Sequence, residues 1–238
     1  MASLRSPARP RGFTLIELLV AITVMSLLAL LSWRGLDAMV RAHEQTRQRA
    51  DAHLVLQTAL AQWSTDLDAI QTIASTTPLD WDGQVLRLTR RSNAWPDTGA
   101  LVVAWTRRNA QGREQWLRWQ SPPLQTRAQW QQAWEAAGQW ARNPSADAQR
   151  GEVALLPLVQ WRLLYFRGGA WTNPQSSADS ATPPANDSAS RGNAGAHAAA
   201  RTAALPEGIR LEIELPPGQA EAGRITRDWF NPLPGNTP

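Results

Sequence analysis

The sequence predicts an α+β fold in which a long N-terminal helix, first transmembrane and then amphipathic, packs on an antiparallel β-sheet domain. Three observations support this prediction. The run from Phe13 to Leu31 is predominantly apolar, apolar residues then recur at helical spacing as far as Ile70, and segments after Pro78 alternate between apolar and polar residues. Of the 238 residues, 43% are hydrophobic and 18% are charged, a composition that supports a packed core.

Cysteine content and charge exclude several classes of protein. The chain has no cysteine, which excludes disulfide scaffolds, thiolate metal sites and cysteine nucleophiles. Its 24 basic residues are all arginine, and 20 acidic residues leave a net charge of +4. Residues 1–12 hold Arg5, Arg9 and Arg11 and no acid, so the remainder has 21 arginines against 20 acids. The basicity therefore belongs mostly to these twelve residues, which argues against a nucleic-acid-binding domain.

Residues 13–34 are the predicted transmembrane part of the long helix. A hydrocarbon core about 30 Å thick needs roughly 20 predominantly apolar helical residues. Arginines before this segment predict that its N-terminal end lies on the cytoplasmic side. A cleaved secretory signal would have a shorter apolar core followed by small residues, and no such site occurs before Trp33. A generic single-pass anchor is the simplest alternative.

Glu17 does not fit a generic anchor. A carboxylate at mid-bilayer costs about 2.5–3.5 kcal/mol on insertion scales. If the chain were cut between Gly12 and Phe13, Glu17 would be the fifth residue, in the first helical turn, where the helix dipole and a free amine favour negative charge. In a staggered stack of such helices, the amine of one chain could meet the carboxylate of the next.

Residues 12–21, which read GFTLIELLVA, resemble the type III signal of type IV pilins and pseudopilins. The resemblance implies that residues 1–12 are a leader peptide, which a prepilin peptidase removes by cutting between Gly12 and Phe13. It also implies N-methylation of Phe13 and an assembly role for Glu17. The fold that it implies is pilin-like, with a half-buried continuation of the membrane helix.

Residues 35–75 are the predicted amphipathic part of the long helix. One face of this helix is apolar, and the other carries charged residues that we expect to face solvent. A single glycine, Gly35, permits a bend, and Thr76-Thr77-Pro78 ends the helix. The apolar face comprises Leu36, Met39, Val40, His43, Ala50, Leu54, Leu60, Trp63, Leu67 and Ile70.

Residues 76–230 are the predicted β-rich domain, followed by a tail at 231–238. The predicted strands are Gln84–Arg91, Ala100–Arg107, Arg113–Gln120, Leu158–Phe166, Ala170–Thr172, Ile209–Leu215 and Arg224–Phe230. The stretch Asp80-Trp81-Asp82-Gly83 is typical of a turn. Residues 173–204 contain no apolar side chain larger than alanine, which predicts a disordered loop.

One helix is predicted inside the β-rich domain. Thr126 and Gln129 have the spacing of a capping box, and Asn143-Pro144 ends the segment. Trp130, Trp134 and Ala137 then share a face, which favours core packing over ligand stacking.

The globular part is similar to the J-type minor pseudopilins of the type II secretion system. The segments that carry this similarity are 33–37, 87–90, 159–166, 169–171 and 204–211. The similarity implies a structural subunit near the pseudopilus tip that helps to initiate assembly. The implied partners are the I- and K-type minor pseudopilins, the major pseudopilin and the inner-membrane secretion platform. The implied location is the bacterial inner membrane, with the C-terminal domain in the periplasm. A minor pilin of a type IV pilus, or of a DNA-uptake pseudopilus, is the alternative.

Nothing in the sequence favours an enzyme, a cofactor or a metal centre. His43 and His53 lie about 15 Å apart along one helix, and His197 falls in the low-complexity segment. Asp80 with Asp82 offers too few ligands for a calcium prediction. The similar pair Glu212 and Glu214 lies on the exposed face of a predicted strand. No catalytic residue is predicted.

A single-stranded nucleic-acid surface is the other class considered. Arginines and tryptophans alternate through the first predicted strands, as such surfaces require. The near-neutral charge beyond residue 12 favours ordinary solvated arginines instead. The residues concerned are Arg87, Arg90, Arg91, Arg107, Arg108, Arg113 and Arg118, with Trp95, Trp105, Trp116 and Trp119.

Overall fold

A computed structural model describes residues 12–92, 99–110, 112–175, 205–218 and 221–232. The chain divides into two compact units, an N-terminal unit (residues 1–49) and a C-terminal unit (residues 50–238). Most of the predicted leader, most of the predicted 173–204 loop, most of the tail, Trp95 and His197 lie outside the described residues.

The first helix, α1, extends from Leu15 to Asp68 without a break at Gly35. Within the N-terminal unit every described residue of this helix is exposed. α1 is the one described helix that is long and apolar enough to cross a membrane. The prediction of one long helix is therefore confirmed.

The helix ends at Asp68 and not at residue 75, where the apolar spacing placed its end. After Asp68 the backbone pairs with a strand instead of continuing the helical ladder. The Gln71 amide donates to the Thr89 carbonyl at 2.9 Å, and Ala69 accepts from the Arg91 amide at 3.1 Å. Ile70 supplies the last apolar contact in the sequence pattern from this extended segment.

The described residues of the C-terminal unit include nine strands, which form two antiparallel sheets. Sheet A has the order β1-β2-β3-β4-β5, with β1 Leu79–Trp81, β2 Val85–Arg91, β3 Ala100–Ala110, β4 Arg113–Gln120 and β5 Glu152–Pro157. Sheet B has the order β7-β6-β8-β9, with β6 Gln160–Arg167, β7 Ala170–Thr172, β8 Gly208–Leu215 and β9 Gly223–Phe230.

The predicted strands are confirmed to within a few residues, but two strands were missed. Asp80 and Trp81 lie in β1 rather than in a turn, although Asp82 does cap a turn by accepting from the Val85 amide at 2.8 Å. The other missed strand is β5, whose apolar run carries no alternation. Just before β4, Gly112 has a φ of 79°, a conformation that glycine adopts without strain.

The capped helix is also confirmed. α2 extends from Arg127 to Arg142, and its capping box pairs Thr126 with Gln129. Asn143 caps its C-terminus, and a short helix, α3, follows at Ala146–Gln149.

The C-terminal unit has two hydrophobic cores. In the larger core, the stripe of α1 that contains Leu56, Trp63 and Leu67 packs with residues of both sheets. In the smaller core, α2 packs through Trp130 and Trp140 on residues of sheet A. Both sheets are thus held by buried tryptophan and leucine, and this arrangement accounts for the α+β architecture.

Candidate processing and assembly site

The predicted cleavage bond lies just before α1. Gly12 and Phe13 precede the helix, both are exposed, and the Phe13 side chain is 80% exposed. Among the described residues, no atom beyond the immediate chain neighbours lies within 4 Å of where a Gly12 Cβ would stand. A peptidase would therefore meet no steric obstacle from the described residues at this bond.

Thr14 is the N-cap of α1, and Glu17 is its third helical residue. The Thr14 hydroxyl oxygen accepts from the Glu17 amide at 3.4 Å, and the hydroxyl lies 3.5 Å from a Glu17 carboxylate oxygen. The carboxylate thus sits in the first turn, where the helix dipole favours it. Because the contact to Thr14 is long, the carboxylate keeps lone pairs for another donor.

The cap at Thr14 was missed in the sequence. Its signal is present, because Thr14 and Glu17 have the threonine-x-x-glutamate spacing of a capping box.

The part of α1 from Leu15 to Leu31 exposes all its large apolar side chains. Between Leu15 and Leu31 the least exposed of them, Val24, is still 49% exposed. A soluble protein rarely exposes an apolar surface of this extent. Such a surface requires lipid or other helices around it.

The arginines that suggested nucleic-acid binding are largely engaged in ion pairs. Arg87 contacts Asp80 at 2.5 Å, and its guanidinium lies 5.0 Å from the ring centre of Trp134. Arg108 pairs with Glu152 at 2.5 Å.

The tryptophans in the same strands are not available for base stacking. Trp105 and Trp116 are fully buried, and Trp119 is 6% exposed. The described residues therefore form no surface of alternating arginine and aromatic side chains there. The alternative prediction, that these arginines are solvated, is wrong for Arg90 and Arg118, whose side chains are buried or nearly so.

Asp66 is the polar centre that sequence reasoning missed. It is fully buried in α1 and accepts from Arg118 at 2.7 and 2.9 Å, from Trp105 at 3.0 Å and from Gln62 at 3.0 Å. Arg90 also donates to it. The available signal was an aspartate placed next to Leu67 within the apolar stripe.

The acidic residues weighed as metal ligands have protein partners. Asp80 and Asp82 pair with Arg87 and Arg142, the latter at 2.9 Å. Within the described ranges, no three histidine or acidic residues group closely enough to hold a metal ion.

Two other residues considered for chemistry, His53 and Glu212, also have protein partners, and the one tyrosine is inaccessible. His53 contacts Glu221 at 2.8 Å, and Glu212 contacts Arg162 at 2.7 Å. Burial raises the pKa of Tyr165 far above its ordinary value, so this phenol stays neutral.

Comparison with models of known protein families found a match at the N-terminus. The model of the prokaryotic N-terminal methylation motif matches residues 7–33, a range that contains Gly12, Phe13 and Glu17. No curated protein sequence matches the chain. The motif supports the type IV pilin-like class, whose members are structural proteins that a prepilin peptidase processes and that assemble with other pilin-like subunits. Together, the matched motif and the exposed apolar part of α1 indicate a membrane-anchored protein of this class.

Proposed function

We propose that the chain is a J-type minor pseudopilin, a structural subunit of the pseudopilus tip complex of the type II secretion system. The observation that carries the proposal is the methylation motif at residues 7–33 followed by an exposed apolar helix. The order of segments in the globular part supports the J type. The subunit helps to initiate the pseudopilus that exports folded proteins across the outer membrane.

Processing comes first in this proposal. Prepilin peptidase hydrolyses the peptide bond between Gly12 and Phe13 on the cytoplasmic face, and the new amine of Phe13 is then N-methylated. Removal of residues 1–12 leaves this amine one turn from Glu17, at the start of α1. Residues 13–34 hold the subunit in the inner membrane while the domain of residues 76–230 is folded in the periplasm.

Assembly then exchanges lipid contacts for helix contacts. A carboxylate in lipid costs about 2.5–3.5 kcal/mol near mid-bilayer and less near an interface. A neighbouring subunit's amine would offset this cost, because Glu17 has only the long contact to Thr14 within the described chain. The apolar side chains from Leu15 onward supply the surface for the neighbouring helices.

The partners in this proposal are the I- and K-type minor pseudopilins, the major pseudopilin and the inner-membrane secretion platform. The second candidate function is that of a minor pilin in a type IV pilus or a DNA-uptake pseudopilus, which the same N-terminal motif supports. Deletion separates the two: loss of protein secretion favours the first, and loss of piliation or DNA uptake favours the second.

Glu17→Ala tests the assembly role. We expect the variant to be processed and its C-terminal unit to fold, while co-purification with the partner pseudopilins from membranes falls severalfold or more. The matched control is Glu44→Ala, because Glu44 is an exposed glutamate on the same helix that contacts only Gln48 among described residues. Wild-type co-purification by Glu17→Ala, or equal losses in both variants, would overturn the role given to this carboxylate.

A further inference from the structure

The edge of sheet B formed by β9 differs from the other three sheet edges, which are formed by β1, β5 and β7. β1 and β7 are three residues long, and β5 contains a register shift opposite Trp116 and Leu117 and ends at Pro157. Each of these features limits pairing with a further strand. β9 has eight residues, no proline and an unbroken register against β8.

The hydrogen-bonding pattern of β9 defines which backbone groups lie at its outer edge, with which no described strand pairs. The Asn231 amide donates to the Glu207 carbonyl at 2.8 Å, in the same register as the β8–β9 ladder. Hydrogen-bonded pairs alternate along an antiparallel ladder, so the odd-numbered residues of β9 bond to β8. The amide and carbonyl groups of Arg224, Thr226 and Asp228 therefore point away from the sheet.

Side chains of these same residues lie on the outer face of sheet B. Arg210 in β8 donates two hydrogen bonds of 2.7 Å to the Asp228 carboxylate, and Glu214 lies opposite Arg224 in the register. The pair with Arg210 holds the pKa of Asp228 below its usual value, so the carboxylate is charged at neutral pH. The edge thus carries a positive charge at Arg224 and a negative charge four residues later.

We propose that β9 is a docking edge for an extended segment of another polypeptide, which adds to sheet B as an antiparallel strand. The segment places an acidic residue opposite Arg224 and a basic residue opposite Asp228. Read in its own N-to-C direction, it is a basic residue followed four positions later by an acidic one. Charges then alternate in sign across the enlarged sheet, and opposite-charge pairs stabilise neighbouring strands whereas like charges destabilise them.

β9 itself has the required charge pattern, but contacts from His53 to Glu221 and from Asp68 to Trp229, both at 2.8 Å, show that β9 runs in the same direction as the 53–68 segment of α1. Antiparallel pairing of two copies through β9 would therefore place their two 53–68 segments antiparallel to each other. A strand from a different polypeptide carries no such restriction, so we assign that occupant to the edge. Dimerisation of the full-length protein through β9 in detergent would contradict this assignment.

A free peptide has no such restriction, so the β9 sequence is a suitable probe. We expect a labelled peptide of residues 222–230 (AGRITRDWF) to bind the full-length protein in detergent, measured by fluorescence anisotropy. A peptide with Arg224 and Asp228 exchanged would turn two opposite-charge pairs into two like-charge pairs, and we expect its affinity to fall about tenfold or more. The protein carrying Arg224→Asp and Asp228→Arg should then prefer the exchanged peptide.

Backbone methylation distinguishes strand addition from side-chain attraction. In the bound peptide the Thr226 amide faces β9, so N-methylation there should abolish measurable binding. N-methylation of Arg227, whose amide faces away, should leave the affinity within about twofold. Failure of the parent peptide to bind, or equal effects of the two N-methyl groups, would overturn the proposal. Neither result depends on processing at Phe13, so the function proposed above would be unaffected.

Discussion

Residues 15–49 and 50–68 of α1 differ in whether their apolar and acidic side chains are exposed or buried. In residues 15–49 the apolar side chains are exposed, and the acid within the apolar run, Glu17, has only a long contact to Thr14. Between residue 50 and Asp68 an apolar stripe is buried, and the acid within it, Asp66, is fully buried with several donors around it.

The difference shows which carboxylate is compensated by partners within the same chain. Arg90 and Arg118 compensate Asp66 completely within one subunit, so this acid needs no other molecule. Glu17 and the apolar surface around it lack such compensation among the described residues. A long helix with one region satisfied internally and one region left for lipid or neighbours is what a membrane-stored, assembling subunit requires.

Asp66→Ala should have the largest effect. It leaves Arg90 and Arg118 without their shared carboxylate, and removal of one partner from a buried ion pair costs about 3–5 kcal/mol. We expect a loss of this size in the free energy of unfolding of the C-terminal unit, measured by urea denaturation of the full-length protein in detergent. Glu17→Ala should leave that free energy unchanged, because Glu17 lies in the N-terminal unit.

The surface control for this prediction is Asp147→Ala. The Asp147 side chain is 81% exposed, and its pair with Arg150 is solvated, so no measurable change is expected. Equal stability of Asp66→Ala and Asp147→Ala would show that the buried centre does not organise the fold.

A smaller effect should separate two buried tryptophans. The Trp105 indole donates to Asp66 at 3.0 Å, whereas the Trp63 indole nitrogen has no partner in the described structure, and both side chains are fully buried. Replacement by phenylalanine removes similar volume from each site. Trp105→Phe should therefore cost about 1.5–3 kcal/mol more unfolding free energy than Trp63→Phe, the usual range for a hydrogen bond to a charged group.

The same denaturation measurement tests this pair. A difference near zero would mean that the indole of Trp105 contributes to stability through packing alone. Of the donors tested, only Arg90 and Arg118 would then count as stabilising partners of Asp66.

Local signals in the sequence predicted the elements that local interactions determine. The capping box from Thr126 to Gln129 predicted the start of α2, and the alternation from Ile209 to Leu215 predicted β8. The apolar run predicted the first part of α1, which is long and apolar enough to cross a membrane, because composition and spacing alone define such a helix.

Distant partners decided the features that were missed. Asp66 pairs with Arg118, which lies 52 residues away in the sequence, so the burial of Asp66 could not be inferred from helical spacing. The division into two sheets depends on β6 pairing with β8 rather than with β5, which is again a long-range choice. The end of α1 was misplaced because Ile70 keeps the apolar spacing while its backbone pairs with β2.

Mass spectrometry of the N-terminus is the most direct test of the central claim, that residues 12–17 form a processing and assembly site. The protein should be isolated from membranes of cells that make a prepilin peptidase and of cells that lack it. We expect a mature chain that begins at N-methylated Phe13 in the first case and a chain that retains residues 1–12 in the second. A chain that keeps Met1 despite the peptidase, or one that is cut beyond Leu31, would contradict the claim.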